Sequence, residues 1–280
     1  MKRIGNLYEK ICSIENLQLA DEKARKGKLR TYGVLEHDKN REANLLKLRE
    51  TLLNGTFHTS KYDVFTIYEP KEREIYRLPY FPDRILHHAI MNVLEPIWVS
   101  TFTADTYSCI KNRGIHAAAK KVKQALREDP EGTTFCLKLD IRKFYPSINH
   151  DVLKSILRRK LKDKRLLRLL DEIIDSADGV PIGNYLSQYF ANLYLTYFDH
   201  WIKEQKRVKH YFRYADDIVI LASDKSYLHS LMGEIRAYLG DLKLEVKGNW
   251  QVFPVAARGI DFVGYVFFHT HTRMRKGIKK

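Results

Sequence analysis

Apolar residues recur at helical spacing in four stretches of the chain. Ile85, Leu86, Ala89, Ile90, Val93, Leu94 and Ile97 fall three and four positions apart, with Asp83 placed to cap the helix start. Leu153, Ile156, Leu157, Leu161, Leu167 and Leu170 form a second stripe. Leu186, Phe190, Leu193, Tyr197 and Trp201 form a third, and Leu228, Leu231, Met232, Ile235 and Leu239 a fourth. Each reads as a core-facing surface. Between the helices the period changes to two. Residues 134–141 (TFCLKLDI) predict a strand, and 211–221 (YFRYADDIVIL) two short strands about a tight turn. Residues 243–247 and 260–268 predict further strands. The order strand, helix, helix, hairpin, helix, strands predicts an α+β domain with an antiparallel sheet backed by helices.

Composition narrows the class. A chain of 280 residues, 44% hydrophobic and 12% aromatic, can bury one large core or two closely packed ones. Its formal net charge of +15 points to a polyanionic partner, because Lys and Arg that neutralise phosphates release condensed counterions. The basic residues are clustered. Lys23, Arg25, Lys26, Lys28 and Arg30 lie together, residues 154–168 hold a second group, and Arg273, Arg275, Lys276, Lys279 and Lys280 a third. Cys12, Cys109 and Cys136 are far apart, which suits a reducing cytoplasm and fits neither a disulfide scaffold nor a zinc site. The charged N-terminus does not read as a secretory signal, and no apolar run approaches membrane-spanning length, so no membrane partner is expected.

The chemistry-bearing residues sit at strand ends. Asp140 follows an apolar strand, and taken singly it is either a helix cap, a surface acid or a buried, paired carboxylate. Asp216 and Asp217 lie at the apex of the predicted hairpin between aromatic and β-branched flanks. Adjacent carboxylates repel, and at a packed turn they persist when something positive neutralises them; a solvated Asp turn is the alternative. If the strand ending at Asp140 pairs beside this hairpin, three carboxylates converge. Two Mg²⁺ ions held there, or Mn²⁺ in their place, would activate a primer hydroxyl and stabilise leaving pyrophosphate.

Tyr214-Ala215-Asp216-Asp217 resembles the catalytic motif of reverse transcriptases. It stands in family order with LDIRKFYPSI upstream, GVPIGNYLSQ between, and LEVKG then GIDFVGYVFF downstream. LPYFPDRILHHAIMNVLEPIW resembles the fingers motif of bacterial members. The resemblance implies right-hand polymerase fingers and palm with the thumb largely absent. It divides the chain into an N-terminal region with fingers at 1–130, interleaved with the palm, a palm at 131–270, and a basic stub at 271–280. Asp140, Asp216 and Asp217 are then catalytic metal ligands, with the Ile141 carbonyl as a further ligand. Lys143 and Phe144 amides would face the triphosphate, and Tyr145 would exclude a ribose 2′-hydroxyl. Ile182, Gly183, Ser187 and Gln188 would line the nucleotide. Arg77 and Arg84 would clamp its phosphates, and Lys247 would lie near the pyrophosphate. Phe262, Val263, Gly264 and Tyr265 fall where a primer grip is expected.

The middle motif departs from the family pattern of Gln-Gly followed by Ser-Pro: the glutamine position is Ile182 and the proline position Gln188. This variant looks like that of diversity-generating retroelements, whose enzymes copy RNA with errors at adenines. The opening NLYEKICSIENLQLA is similar to theirs as well. Such a resemblance implies template RNA, primer, nascent cDNA and dNTPs as partners, with a small basic helical accessory protein. Retron, group II intron and phage-defence reverse transcriptases are the enzymatic alternatives. A non-catalytic RNA-binding protein on a polymerase scaffold is the alternative of another class.

Overall fold

The computed structural model describes residues 3–68 and 72–278, so Lys279 and Lys280 of the last basic cluster lie outside the described residues. In chain order the helices are α1 Tyr8–Cys12, α2 Ile14–Ala24, α3 Tyr32–Asp38, α4 Arg41–Asn54, α5 Ile85–Val99, α6 Ile115–Glu128 and α7 Phe144–Ser147. Then follow α8 His150–Lys160, α9 Lys164–Asp175, α10 Tyr185–Tyr194, α11 Thr196–His200, α12 Lys225–Asp241 and α13 Val255–Arg258. The strands are β1 Asp63–Ile67, β2 Arg73–Arg77, β3 Phe135–Asp140, β4 His210–Tyr214, β5 Asp217–Ala222, β6 Gln251–Pro254, β7 Ile260–Phe262, β8 Tyr265–Phe267 and β9 Thr272–Met274. No helix among the described residues is long and apolar enough to cross a membrane. Every strand pairing is antiparallel. Two compact units divide the chain, one from Met1–Ser100 with Asn149–Leu193, the other from Thr101–Ile148 with Tyr194–Lys280.

The first unit is helical, with the β1–β2 hairpin as its sheet. Its organising group is Asp21, wholly buried on α2. Arg25 reaches it at 2.8 Å, Arg41 from the first turn of α4 at 2.6 Å, and the Tyr80 hydroxyl donates to it. Arg25 also pairs with Asp38 at 2.7 Å, so part of the first basic cluster is neutralised inside the fold. The second basic cluster does not sit on one helix. Asp163 breaks it, capping α9 through the Leu166 N–H and accepting from the Leu7 and Tyr8 N–H groups. Asp83 does not cap α5 as the sequence suggests. It is buried before that helix and accepts the Ser60 N–H at 3.0 Å instead.

The second unit is built on a sheet of order β4-β5-β3-β6. Alternation sends Cys136, Val219, Leu221 and Phe212 to one face, where they pack with Val122, Ala125 and Leu126 of α6. The other face carries Tyr211, which meets Phe198 of α11, itself against Tyr238 of α12. Residues 260–268 are not one strand: Val263 (φ 45°) and Gly264 (φ 86°) turn the chain between β7 and β8. Residues 243–247 form no strand either, since Lys243 takes a left-handed φ of 60° and Val246 makes an isolated bridge to Ile141.

Burial alone would raise the Asp21 carboxyl, but hydrogen bonds from His37, Tyr80, Arg41 and Arg25 outweigh it and hold the group well below the usual carboxylate range. A depressed folded-state value stabilises the fold above the unfolded value and loses that contribution as pH falls. Asp21→Asn is therefore expected to lose about 3–5 kcal/mol of unfolding free energy in urea at neutral pH. Its stability should also fall less than that of the parent as pH drops below about 3.9.

Candidate active site

Strand register brings the three carboxylates together. Asp140, the last residue of β3, stands directly opposite Asp217, the first of β5. Asp216 occupies the turn between them in sequence, and its carbonyl accepts the Ile141 N–H at 3.3 Å. Ala215 takes a left-handed φ of 55°, which a residue with a Cβ adopts at a cost of about 1–3 kcal/mol. The turn is held from beneath. Arg213, wholly buried, donates from Nη1 to the Ala215 carbonyl at 3.0 Å and forks onto Asp199 at 2.7 and 2.6 Å. Tyr211 and Thr106 hydroxyls donate to the same carboxylate at 2.5 and 3.0 Å.

The carboxylates are not equivalent. Burial, and then the neighbouring Asp140 charge, raise Asp216 above its ordinary range. Burial raises Asp217 as well, with Lys138 opposing. Lys138 pairs with Asp217, and Lys247 pairs with Asp140. Among the described residues, no three His, Cys, Asp or Glu side chains are disposed to hold a metal ion, the two outer carboxylates being turned to ammonium groups. The donor set, all hard carboxylate oxygen, nonetheless suits a divalent cation such as Mg²⁺. Lys138 was not apparent from the sequence. Its signal was the alternation in LKLD, which puts position 138 on the same face as 140.

The other anticipated residues divide between the units. In the second, Lys143 has a left-handed φ of 43° and precedes α7, whose Phe144 is buried and whose Tyr145 is partly exposed. Burial, with the charges at Cys109 and Asp216 adding, pushes the Tyr145 phenol up. Phe262 is buried beneath the Lys138 ammonium at 5.2 Å, and Tyr265 pairs with it across the β7–β8 turn. Ile141 is buried.

In the first unit, the Tyr76 N–H donates to the Ile182 carbonyl at 2.8 Å. Gly183 lies so close to β2 that a Cβ would stand 2.9 Å from the Tyr76 carbonyl oxygen, at a φ of 117°. Ser187 is buried and Gln188 exposed. Arg84 lines a cavity of about 190 Å³ with Phe65, Tyr76, Gly183 and Tyr185. Its Nε is buried without a partner, and burial lowers its pKa. Arg77 is exposed and already paired with Asp63.

A strand-end carboxylate in register with a carboxylate pair at a hairpin turn, on an antiparallel sheet covered by helices, is the layout of a nucleic-acid polymerase palm. The reverse transcriptase (RNA-dependent DNA polymerase) family matches residues 69–267, and the chain belongs to that family. It is 26% identical to Protein YkfC of Escherichia coli (strain K12), over 81% of this chain and 71% of YkfC. To the group II intron-encoded protein LtrA of Lactococcus lactis subsp. cremoris it is 24% identical, over 63% of this chain but 31% of LtrA. The fold is similar to telomerase from Candida tropicalis solved with a fragment of telomeric RNA. The TM-score is 0.57 at 14% identity, covering 80% of this chain and 45% of that one.

A single break in the buried pair under the turn leaves a charge unmatched. Asp199→Asn is expected to cost about 3–5 kcal/mol in urea denaturation, whereas Asp199→Leu with Arg213→Met recovers most of it. Equal instability of both proteins would remove the ion pair as the reason for the loss.

Proposed function

We propose that the protein is an RNA-directed DNA polymerase, working by two-metal nucleotidyl transfer. The observation that carries this reading is the register pairing Asp140 with Asp217 around Asp216. Asp140, Asp216 and Asp217, with the Ile141 carbonyl, would hold the ions once Lys138 and Lys247 release their partners. Bound there, the metals supply charge to activate a primer hydroxyl and to stabilise the departing pyrophosphate. The chain's own groups position the reactants. Tyr145, whose phenol feels the Asp216 charge, would exclude a 2′-hydroxyl with its ring, and Lys143 and Phe144 would present backbone amides. Phe262, Val263, Gly264 and Tyr265 would steady the primer. Lys247, which pairs with Asp140, would meet the pyrophosphate. Template RNA, primer, growing cDNA and dNTPs are the partners this chemistry needs.

In the fingers, Arg84 is the stronger phosphate ligand, since its guanidinium already lines a cavity with a buried nitrogen to satisfy, while Arg77 is committed to Asp63. Ile182 and Gln188 replace the family's amide and proline, with Gly183 and Ser187 beside them. An aliphatic side chain gives the incoming base no hydrogen bond, which relaxes selection. This favours an error-prone role opposite template adenine, as in diversity-generating retroelements, where a small basic helical protein would assist.

Primer extension on a defined RNA template with Mg²⁺ and dNTPs should yield cDNA that Asp216→Asn abolishes. Product sequencing should find errors concentrated opposite adenine, lowered about 5- to 150-fold by Ile182→Gln. Faithful products would refute the diversifying role, and absence of extension the polymerase itself. Arg84→Ala is expected to lower kcat/KM for dNTP by about 10- to 150-fold, and Arg77→Ala by less than about threefold.

A further inference from the structure

In the second unit, α6 and the β7–β9 sheet border an open groove of about 1070 Å³. Its charged lining is of one sign: Arg113, Lys120, Lys121, Lys123 and Arg127 face it, with no Asp or Glu. A basic helix face alone would be an ordinary solvated surface. This one is interleaved with rings. Lys123 stands 5.9 Å from the centre of Tyr265, and Phe268 lies stacked on His271 at 4.6 Å with 12° between planes. Arg273 lies 5.3 Å from the Phe268 centre. The hydroxyl of Tyr107, which also lines the groove, is buried with no hydrogen-bond partner.

Tyr265 and Phe268 are half-buried and His271 is exposed; cations follow a phosphate backbone, and rings that reach the surface stack on bases that are not already paired. A duplex offers no such bases, so the groove suits a single strand. We propose that it carries the unpaired part of the template RNA. The choice of strand rests on the polymerase reading above: cDNA is paired as it is made, so the strand with free bases is the template. Tyr265 belongs both to this groove and to the β7–β8 hairpin, whose Phe262 lies under Lys138. The track therefore begins at the hairpin beside the catalytic carboxylates.

The full chain would be titrated by fluorescence anisotropy into a labelled, unstructured 20-nucleotide RNA and, separately, into a blunt RNA–DNA hybrid, at several salt concentrations. Lys120→Ala/Lys123→Ala/Arg127→Ala should reduce the slope of log affinity against log salt for the single strand by about 2. Phe268→Ala should weaken the same RNA by about 5- to 150-fold. The hybrid should change by less than about twofold with Phe268→Ala. Lys120, Lys123 and Arg127 are exposed and Phe268 is half-buried, and unchanged thermal melting would confirm that the variants fold. A photoreactive base in the template overhang of a primer–template should crosslink within residues 116–127 or 265–275. Unaltered RNA affinity in both variants, or crosslinks there from the primer strand alone, would overturn the proposal. Binding and overhang crosslinks that persist without primer extension would sink the polymerase reading and leave the groove standing.

Discussion

Arg213 and Asp199 are both shielded from water, and a charge in that setting survives only when an opposite charge and hydrogen bonds replace its hydration. Here the guanidinium fork is filled on one side by the carboxylate and on the other by the carbonyl of Ala215. Tyr211 and Thr106 complete the carboxylate's shell. The network ties α11 to β4 and to the loop before α6, and it ends on the backbone of the turn that bears Asp216. A left-handed alanine is costly by itself, and this surrounding network is what over-determines it. The position of Asp216 and its neighbouring carboxylates is thus set from the buried side of the sheet.

On the opposite face, repulsion rather than attraction organises the site. Three acids gathered by register cannot all remain ionised without compensation, and Lys138 and Lys247 supply it. Lys138 also lies over the ring of Phe262, so one ammonium group joins β3 to the β7–β8 hairpin. Under the polymerase reading proposed above, the same side chain would have to yield to a metal ion and a primer, which would link the two events through one electrostatic competitor.

Much of this was legible in the sequence because one face of each element is buried. The alternation in TFCLKLDI and YFRYADDIVIL led to β3, β4 and β5, and the apolar stripe ending at Leu239 to α12. The β1–β2 hairpin escaped because Val64, Phe65 and Ile67 are exposed, so burial imposed no pattern on them. The stretch 243–247 alternates like a strand, yet Lys243 turns it out of any ladder. Asp83 stood where a cap belongs, and tertiary packing took it for Ser60. Asp199 left no mark, being one acid in an aromatic segment. Its role arises from a pairing with Arg213 that spacing does not reveal. The candidate carboxylates were legible for the opposite reason, since adjacent acids at a packed turn violate the usual economy of charge.

Each compact unit is assembled from two stretches separated by a long excursion into the other. A ribosome delivers the chain in one direction, so neither unit can close when its first stretch emerges. The helices ending at Ser100 must wait for α8 to α10, and β3 must wait for its partners β5 and β6 until the chain has passed residue 254. Nascent β3 therefore presents an unpaired apolar edge for dozens of residues of synthesis, a period in which chaperone access rather than native contacts governs its fate.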